Sequence, residues 1–233
     1  MRVTFRPRAL KDALTPELHT REAKAVWVLR AWLLALAILA LAYEPVYTTR
    51  PLLVSSALWG LVASLGFAFI PTQRPRTLKA AEFGTLLAFA MHVMGHTFGW
   101  YQNFRWYDTM LHFSVPLVLV LILYALSQAT DWIWDWRKVS PLEVGIYLFA
   151  MSVALGTMWE ILEFGMDQLF GTREQDDLYD TMVDLVMDVS GAVLGAIAAG
   201  WATAYGRRRG FDAVSEDPKR PYPMRAPRGA AKE

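Results

Sequence analysis

The chain has 233 residues, of which 55% are hydrophobic and 19% are charged, and it contains no cysteine. This length fits one domain of ordinary size. The lack of cysteine excludes disulfides, thiolate metal ligands and a cysteine nucleophile. The net charge of +1 gives no indication of a nucleic-acid partner, and none is expected.

Long apolar stretches separated by clustered charges predict an all-α membrane bundle. About twenty apolar residues suffice for a helix to cross a hydrocarbon core ~30 Å thick, whereas barrel strands would be about ten residues long. The first stretch follows a charged segment and precedes no small-residue cleavage site, so no cleavable signal peptide is expected. Six membrane-spanning helices are predicted, at residues 25–43, 52–70, 81–101, 109–126, 141–170 and 181–205.

These spans divide the chain into three parts: an N-terminal tail (1–24), a six-helix transmembrane domain (25–205) and a basic C-terminal tail (206–233). The last part is rich in Pro, Arg and Lys and is predicted to be disordered. One helix start is marked clearly. Ser140, Pro141 and Glu143 supply an N-cap, a proline at the first helical position and the second half of a capping box.

The distribution of basic residues predicts that both termini are cytoplasmic. Nineteen of the 23 Lys and Arg residues lie in the two tails and in the second-to-third and fourth-to-fifth loops. Arg50, Arg105 and Arg173 lie on the opposite side, and Arg30 is expected to snorkel back to the basic side. Aromatic belts fit this orientation, with Trp132, Trp134 and Trp136 at the inner boundary and Trp100, Tyr101, Trp106 and Tyr107 at the outer one.

Ionisable residues of the last four spans gather in the outer half of the membrane, and no comparable group is expected in the inner half. At ~1.5 Å per residue, one tier lies ~12–15 Å below the outer helix ends and a second lies ~6–10 Å below them. The deeper tier contains His92, Glu160 and Asp188, and the shallower one contains His96, His112, Glu163 and Asp184.

Helical spacing places these side chains on single faces. His92 and His96, and likewise Asp108 and His112, are four residues apart. Acidic stripes follow on the last two spans, with small residues on the same faces, which indicates that they point into the bundle. The stripes are Glu160, Glu163 and Asp167, continued by Gly156 and Ser152, and Asp180, Asp184 and Asp188, continued by Gly191 and Gly195.

A buried cluster made mostly of carboxylates cannot neutralise itself, because like charges repel. A divalent cation would compensate it, and imidazole with carboxylate suits Zn, Fe or Mn. Candidate ligands are His92, His96, His112, Glu160, Glu163 and Asp184. Asp108 is a candidate second-shell acceptor for an imidazole N–H, or a ligand itself. Candidate catalytic groups are Glu160, Asp188 and Asp180.

Simpler roles remain open for the individual residues. Asp108 and Asp180 can serve as helix N-caps, Asp176 and Asp177 as solvated loop charges, and a membrane histidine as a hydrogen-bonded packing residue. Glu163 and Asp167 lie close enough to the interface to remain hydrated. The shared depth on four helices nevertheless favours a common site.

Four short motifs resemble the YjdF-like family of uncharacterised bacterial inner-membrane proteins. They are Tyr-Asp-x-x-x-His-Phe at 107–113, Trp-Glu-x-x-Glu at 159–163, Gly-Thr at 171–172 and Asp-Thr-x-x-Asp at 180–184. The family usually has Arg-x-Gly inside the first motif, whereas this chain has Thr109, Met110 and Leu111. The resemblance implies a multi-pass protein of the bacterial cytoplasmic membrane and points to the same acidic and histidine residues. It implies no particular reaction.

Three hypotheses for function follow. The leading one is a divalent-metal site for hydrolysis or acid–base chemistry on a lipid or lipid-linked substrate, in which a bound water ionises near pH 7. The second is a proton- or cation-coupled transporter, which requires a polar path to the inner side as well. The third is a scaffold whose polar network is structural. The bilayer is the one partner expected in every case, and the sequence gives no indication of oligomeric state.

Overall fold

The computed structural model describes residues 21–42, 50–70, 75–130, 139–172, 174–175 and 177–209. The predicted N-terminal tail up to residue 20, the aromatic belt residues Trp132, Trp134 and Trp136, Asp176, and the C-terminal tail from residue 210 lie outside them. The described residues form seven α-helices and one short 3₁₀ helix, Phe67–Phe69. The α-helices are α1 (Arg21–Ala42), α2 (Arg50–Gly66), α3 (Pro75–Thr97), α4 (Trp100–Asn103), α5 (Trp106–Ala129), α6 (Pro141–Phe170) and α7 (Leu178–Arg209).

The all-α prediction is confirmed. Within the described residues, four helices are long and apolar enough to cross a membrane: Ala23–Ala42 in α1, Trp106–Ala129, Pro141–Phe170 and Leu178–Arg208 in α7. The remaining two predicted spans differ from these. Helix α2 has only 17 residues, and α3 carries Arg76, Lys79 and Glu82 in its first turns. Six spans therefore remain a prediction.

The third predicted span ends earlier than its apolar pattern indicated. Helix α3 stops at Thr97, and Gly99 adopts a left-handed conformation (φ 66°) that starts the separate four-residue helix α4. A left-handed φ is accessible to glycine without steric cost. This break turns Tyr101 back over the end of α3, where it contacts the ring of His96.

Local sequence signals fix the ends of α6 as expected. Ser140 accepts from the backbone N–H of Glu143, and the Glu143 side chain accepts from the Ser140 N–H, so the predicted capping box is present. Gly171 ends the helix at φ 67°. Helix α7 is capped by Asp177, whose carboxylate accepts from the Asp180 N–H. Asp180 and Asp108 lie inside the first turns of their helices and are not the N-caps.

Helices α5 and α7 pack most closely, through glycines of α7. A Cβ at Gly191 would overlap the carbonyl oxygen of Phe113, and a Cβ at Gly195 would lie 2.8 Å from Val120 Cβ. Gly191 lies on the acidic face of α7, as its spacing predicted, and the lack of a side chain there lets the backbones of α5 and α7 come together. Asp184 and Asp188 on the same face are carried into the interior.

Two apolar cores flank this arrangement. One lies among α1, α2 and α3 and includes Leu33, Leu86 and Val93, all less than 1% exposed. The other lies among α5, α6 and α7 and includes Val120 and Leu148. Many large apolar side chains on the outer faces of the long helices are exposed, as lipid-facing surfaces require.

The prediction that Arg30 snorkels was wrong. Arg30 is 7% exposed and pairs with Glu82 of α3. Its Nε donates to Ser64 Oγ of α2 at 2.7 Å, and Ser64 Oγ donates to Glu82 Oε1 at 2.7 Å. Arg30 does not snorkel because a buried carboxylate on a neighbouring helix satisfies it in place. Glu82 and Arg30 come from different helices, so their pairing is not visible in either helix alone.

Candidate functional site

His112 on α5 is the centre of a buried polar cluster drawn from three helices. Its Nδ1 lies 3.1 Å from Asp188 Oδ1 and 3.6 Å from Glu160 Oε1, while its Nε2 lies 3.7 Å from Asp108 Oδ1. The first distance is that of a hydrogen bond. The imidazole thus has carboxylates on both sides.

Two groups of potential metal ligands share this imidazole. The outer group is Asp108, His112 and Asp184, and the inner group is His112, Glu160 and Asp188. Within each group the ligand atoms lie within 4.8 Å of one another. Asp184, Asp188 and Glu160 are each at most 5% exposed. Each has one buried oxygen without a hydrogen-bond partner in the described structure: Asp184 Oδ1, Asp188 Oδ2 and Glu160 Oε1.

Gly156 makes room for the inner group. A Cβ at this position would collide with Asp188 Oδ2 and would lie 3.0 Å from Asp188 Cγ. The lack of a side chain on α6 therefore lets the Asp188 carboxylate reach His112. On the predicted stripe that contains Gly156 and Glu160, the glycine thus leaves space for Asp188 of α7.

His92 and His96 lie in a separate aromatic cluster and in neither ligand group. His92 Nδ1 is 3.1 Å from the Tyr101 hydroxyl, and its ring is 5.2 Å from that of Trp159. The rings of His92 and His96 are 4.7 Å apart and nearly perpendicular. His96 Nδ1 is buried and lacks a hydrogen-bond partner in the described structure. The absence of a side chain on Gly95 gives Tyr101 the space for this contact.

Glu163 and Asp180 also lie outside both ligand groups among the described residues. The Glu163 carboxylate accepts a hydrogen bond of 2.6 Å from Trp159 Nε1, four residues earlier on the same helix. Asp180 lies one turn before Asp184 and is half-buried. Of the nine residues singled out from the sequence, five form one cluster, in which four carboxylates surround the imidazole of His112: Asp108, Glu160, Asp184 and Asp188.

The loop between α6 and α7 adds a residue that the sequence did not single out. Gln175 Nε2 donates to the backbone oxygen and to Oε2 of Glu160, both at 3.2 Å. Asp167 anchors the loop by accepting from Thr172 Oγ1, Glu174 N and Gln175 N. The signal that could have indicated Gln175 is the closeness of its loop to the glutamates of α6, because a side-chain amide can donate to a buried carboxylate.

The same loop reaches α3 through Glu174. Its Oε2 lies 3.9 Å from His96 Nε2. Partial burial of the loop raises the pKa of the Glu174 carboxyl, and the nearby Asp167 carboxylate raises that pKa further. Asp167 was expected to be a hydrated rim residue, and it holds the loop against the site.

An all-helical bundle with apolar outer faces and buried ionisable residues is the architecture of a helical membrane protein. The chain belongs to the family described as "Predicted membrane protein (DUF2238)", whose profile matches residues 25–205. This confirms the resemblance at the level of the family.

One relative is an uncharacterised protein of Thermotoga maritima, 31% identical over 104 residues, or 44% of this chain. The match spans about half of that protein's length, 52%. No solved structure matches the chain.

Proposed function

We propose that the chain is a metal-dependent membrane enzyme whose metal centre is the outer group Asp108, His112 and Asp184. The observation that carries this proposal is the unpartnered buried oxygen of Asp184 beside a histidine and a second carboxylate. A buried carboxylate without a hydrogen bond or a cation is costly. A divalent ion held by two carboxylates and one imidazole would remove this cost.

The two sides of His112 favour different roles. The 3.1 Å contact of Nδ1 with Asp188 is short enough for a hydrogen bond, so Nδ1 would carry the proton and donate it to that carboxylate. Nε2 would then hold a lone pair, and its 3.7 Å separation from Asp108 Oδ1 suits two ligands of one ion. A carboxylate–histidine–metal arrangement of this kind fixes the tautomer of the ligand.

This assignment chooses one of the two roles left open for Asp108 and changes the role expected for Asp188. Asp108 becomes a ligand, and Asp188 becomes the acceptor that orients His112. Asp108 is also the more exposed ligand, with a side chain about one-third accessible. A catalytic metal site keeps an open position for water or substrate, and the Asp108 side provides it. The metal would supply a water that ionises near neutral pH.

The substrate class follows from location. The centre lies near the ends of α5, α6 and α7, which carry exposed apolar side chains such as Leu162, Phe164 and Met182. A lipid or lipid-linked substrate could reach it sideways from the bilayer. We place the protein in the bacterial cytoplasmic membrane with six spans and cytoplasmic termini, since α2 and α3 complete an even number and the basic residues favour that orientation.

A transporter is disfavoured by the layer between the two polar regions. His92 and Glu82 are ten residues apart on α3, about 15 Å along the helix. Leu86 and Ala90 in this interval are at most 1% exposed and belong to the apolar core. A continuous polar path along α3 would need these positions to be polar or hydrated.

Metal analysis of the purified protein tests the proposal. We expect one tightly bound Zn, Fe or Mn per chain, lost in Asp108→Asn and Asp184→Asn. Asp188→Asn should weaken binding by about 10–100-fold, the usual effect of removing a group that orients a ligand. Asp180→Asn, one turn from Asp184, is the matched control and should bind metal like the wild type.

The four histidines of the chain make a second readout practical. In ¹⁵N-histidine spectra, adding Zn²⁺ should shift the Nε2 signal of His112 and leave His92 nearly unchanged. A shift centred on His92 and His96 would assign the metal to the aromatic cluster instead. Absence of stoichiometric metal from the wild type would refute the proposal. Hydrolysis is then tested by incubating the metal-loaded protein with bacterial lipid extract and analysing the products by mass spectrometry.

A further inference from the structure

A second buried charge cluster lies at the opposite end of the bundle, in α1, α2 and α3. Arg30 pairs with Glu82 and donates to Ser64, and Lys79 Nζ lies 2.5 Å from Glu82 Oε2. Glu82 is completely buried, and the Lys79 side chain is 24% exposed. None of these residues belongs to the proposed metal centre.

The cluster has an excess of positive charge. Within the described part of the chain, Arg30 and Lys79 share the single carboxylate of Glu82, so the three groups sum to +1. An unbalanced charge at membrane depth is costly unless a counter-ion or water reaches it. Lys79 is the most accessible member of the cluster, with a side chain 24% exposed, and its ammonium is therefore the place where an external anion can bind.

The helix directions place this cluster at one end of the bundle. Ser64 of α2 meets Arg30 and Glu82, and Gly60, one turn earlier, meets Leu33 and Phe89. Helices α1 and α3 therefore run parallel and begin at the same end. The positive N-terminal ends of both helix dipoles therefore lie at this end of the bundle.

Further donors lie on α1 and α3 towards the same end. Lys24 and Arg76 are exposed in the first turns of α1 and α3. The Arg30 guanidinium lies 5.4 Å from the Trp27 ring centroid, and Trp27 Nε1 is a buried donor without a hydrogen-bond partner in the described structure. The indole of Trp27 and the basic side chains of the first turns make this end of α1 and α3 rich in donors.

We propose that the Arg30–Lys79 cluster binds the phosphate of an anionic phospholipid headgroup at the end where α1 and α3 begin. Basic pockets between membrane helices are suited to such headgroups. A lipid phosphate is already held at the depth of this interface, whereas free phosphate must be brought from solution. The acyl chains would lie on the exposed apolar faces of α1, such as Val28 and Leu34.

The test uses the whole chain, purified in neutral detergent and stripped of lipid. Mixed micelles containing phosphatidylglycerol should raise its unfolding temperature more than micelles containing phosphatidylcholine, because ligand binding stabilises the folded state. Lys79→Gln should weaken phosphatidylglycerol binding about fivefold, the effect of about one basic residue at a membrane surface. Lys79→Arg should retain binding.

Lys138→Gln is the matched control, because it removes an equal charge from a loop predicted to lie on the same side. Equal phosphatidylglycerol binding by the wild type and Lys79→Gln would overturn the proposal. If Lys79→Gln does not fold, the wild type decides: its preference for phosphatidylglycerol must fall as salt rises, and a salt-independent preference would refute the site. Stabilisation by millimolar inorganic phosphate alone, abolished in Lys79→Gln, would assign the cluster to soluble phosphate and overturn the lipid assignment.

Discussion

At the scale of single residues, the His112 cluster depends on the lack of a side chain at Gly156. Gly156 of α6 has no Cβ, and the vacated volume is filled by the carboxylate of Asp188 from α7. Through this carboxylate the two helices fix the ring of His112 on α5. A glycine in a helix interior is otherwise unfavourable by roughly 0.5–1 kcal/mol relative to alanine. Its presence here is explained by the space that Asp188 needs.

Gly156→Ala should therefore destabilise the protein despite its better helix propensity. The added methyl would push Asp188 away from His112, and a hydrogen bond to a charged group is worth about 1.5–3 kcal/mol. After the gain in propensity, a net loss of about 1 kcal/mol is expected. Unfolding by SDS in mixed micelles measures it, and the His112 ¹⁵N signals should move.

Gly165→Ala on the same helix is the control for that change. Nothing lies within 4 Å of a Cβ at Gly165, so this variant should be stabilised by roughly 0.5–1 kcal/mol. If both alanine variants were equally stable, Asp188 would not depend on the space at Gly156.

At the scale of helices, the sequence determines local features well and contacts between helices poorly. The capping box of Ser140 and Glu143 was predictable because its partners are three residues apart. The acidic face of α7 was predictable from periodicity. The pairing of Arg30 with Glu82 was not, since 52 residues separate them and only the packing of α1 against α3 joins them.

The same distinction divides the candidate site. Periodicity and depth gathered His112 and its four neighbours in the outer half of the membrane, but they could not decide which helix faces meet. His92 and His96 have the right depth and spacing, yet the break at Gly99 places Tyr101 beside them. Gln175 was missed because loop residues carry no helical periodicity.

The closest approach between two helices gives an element-scale prediction. Gly191 of α7 lies against the backbone carbonyl of Phe113 on α5, and backbone atoms cannot rotate away as a side chain can. Gly191→Ala should force α5 and α7 apart and destabilise the protein by about 3 kcal/mol, the upper part of the usual range for overpacking. The measurement is again SDS unfolding.

Gly66→Ala is the matched control for Gly191→Ala, because a Cβ at Gly66 would have no neighbour within 4 Å. Asp184 and Asp188 belong to α7 and move with it. Gly191→Ala should therefore also weaken metal binding at the proposed centre, whereas Gly66→Ala should not. If Gly191→Ala were as stable as the wild type, the backbones of α5 and α7 would be able to separate without cost.

At the scale of the whole molecule, two polar clusters occupy opposite ends of a mostly apolar bundle. The His112 cluster joins α5, α6 and α7, and the Arg30 cluster joins α1, α2 and α3. Helix α3 contributes to both ends, with Glu82 near its start and His92 and His96 near its finish. The clusters differ in sign, because carboxylates dominate the first and cations the second. They therefore suit different ligands, a metal ion at one end and a phosphate at the other.

The excess positive charge of the second cluster predicts an asymmetry between its partners. Glu82→Gln would leave Arg30 and Lys79 with no carboxylate among the side chains that the structure describes, and an uncompensated buried charge typically costs about 3–5 kcal/mol. Arg30→Met would leave Glu82 still paired with Lys79, so the loss should be nearer 1.5–3 kcal/mol, roughly that of hydrogen bonds to a charged group. The double variant should be destabilised by less than the sum of the two, because the groups contact each other. SDS unfolding of the wild type, the two single variants and the double variant measures the three losses of stability. Equal losses for the two single variants would mean that Lys79 does not compensate Glu82 and that the cluster carries no excess charge. Strict additivity in the double variant would mean that Arg30 and Glu82 do not stabilise each other.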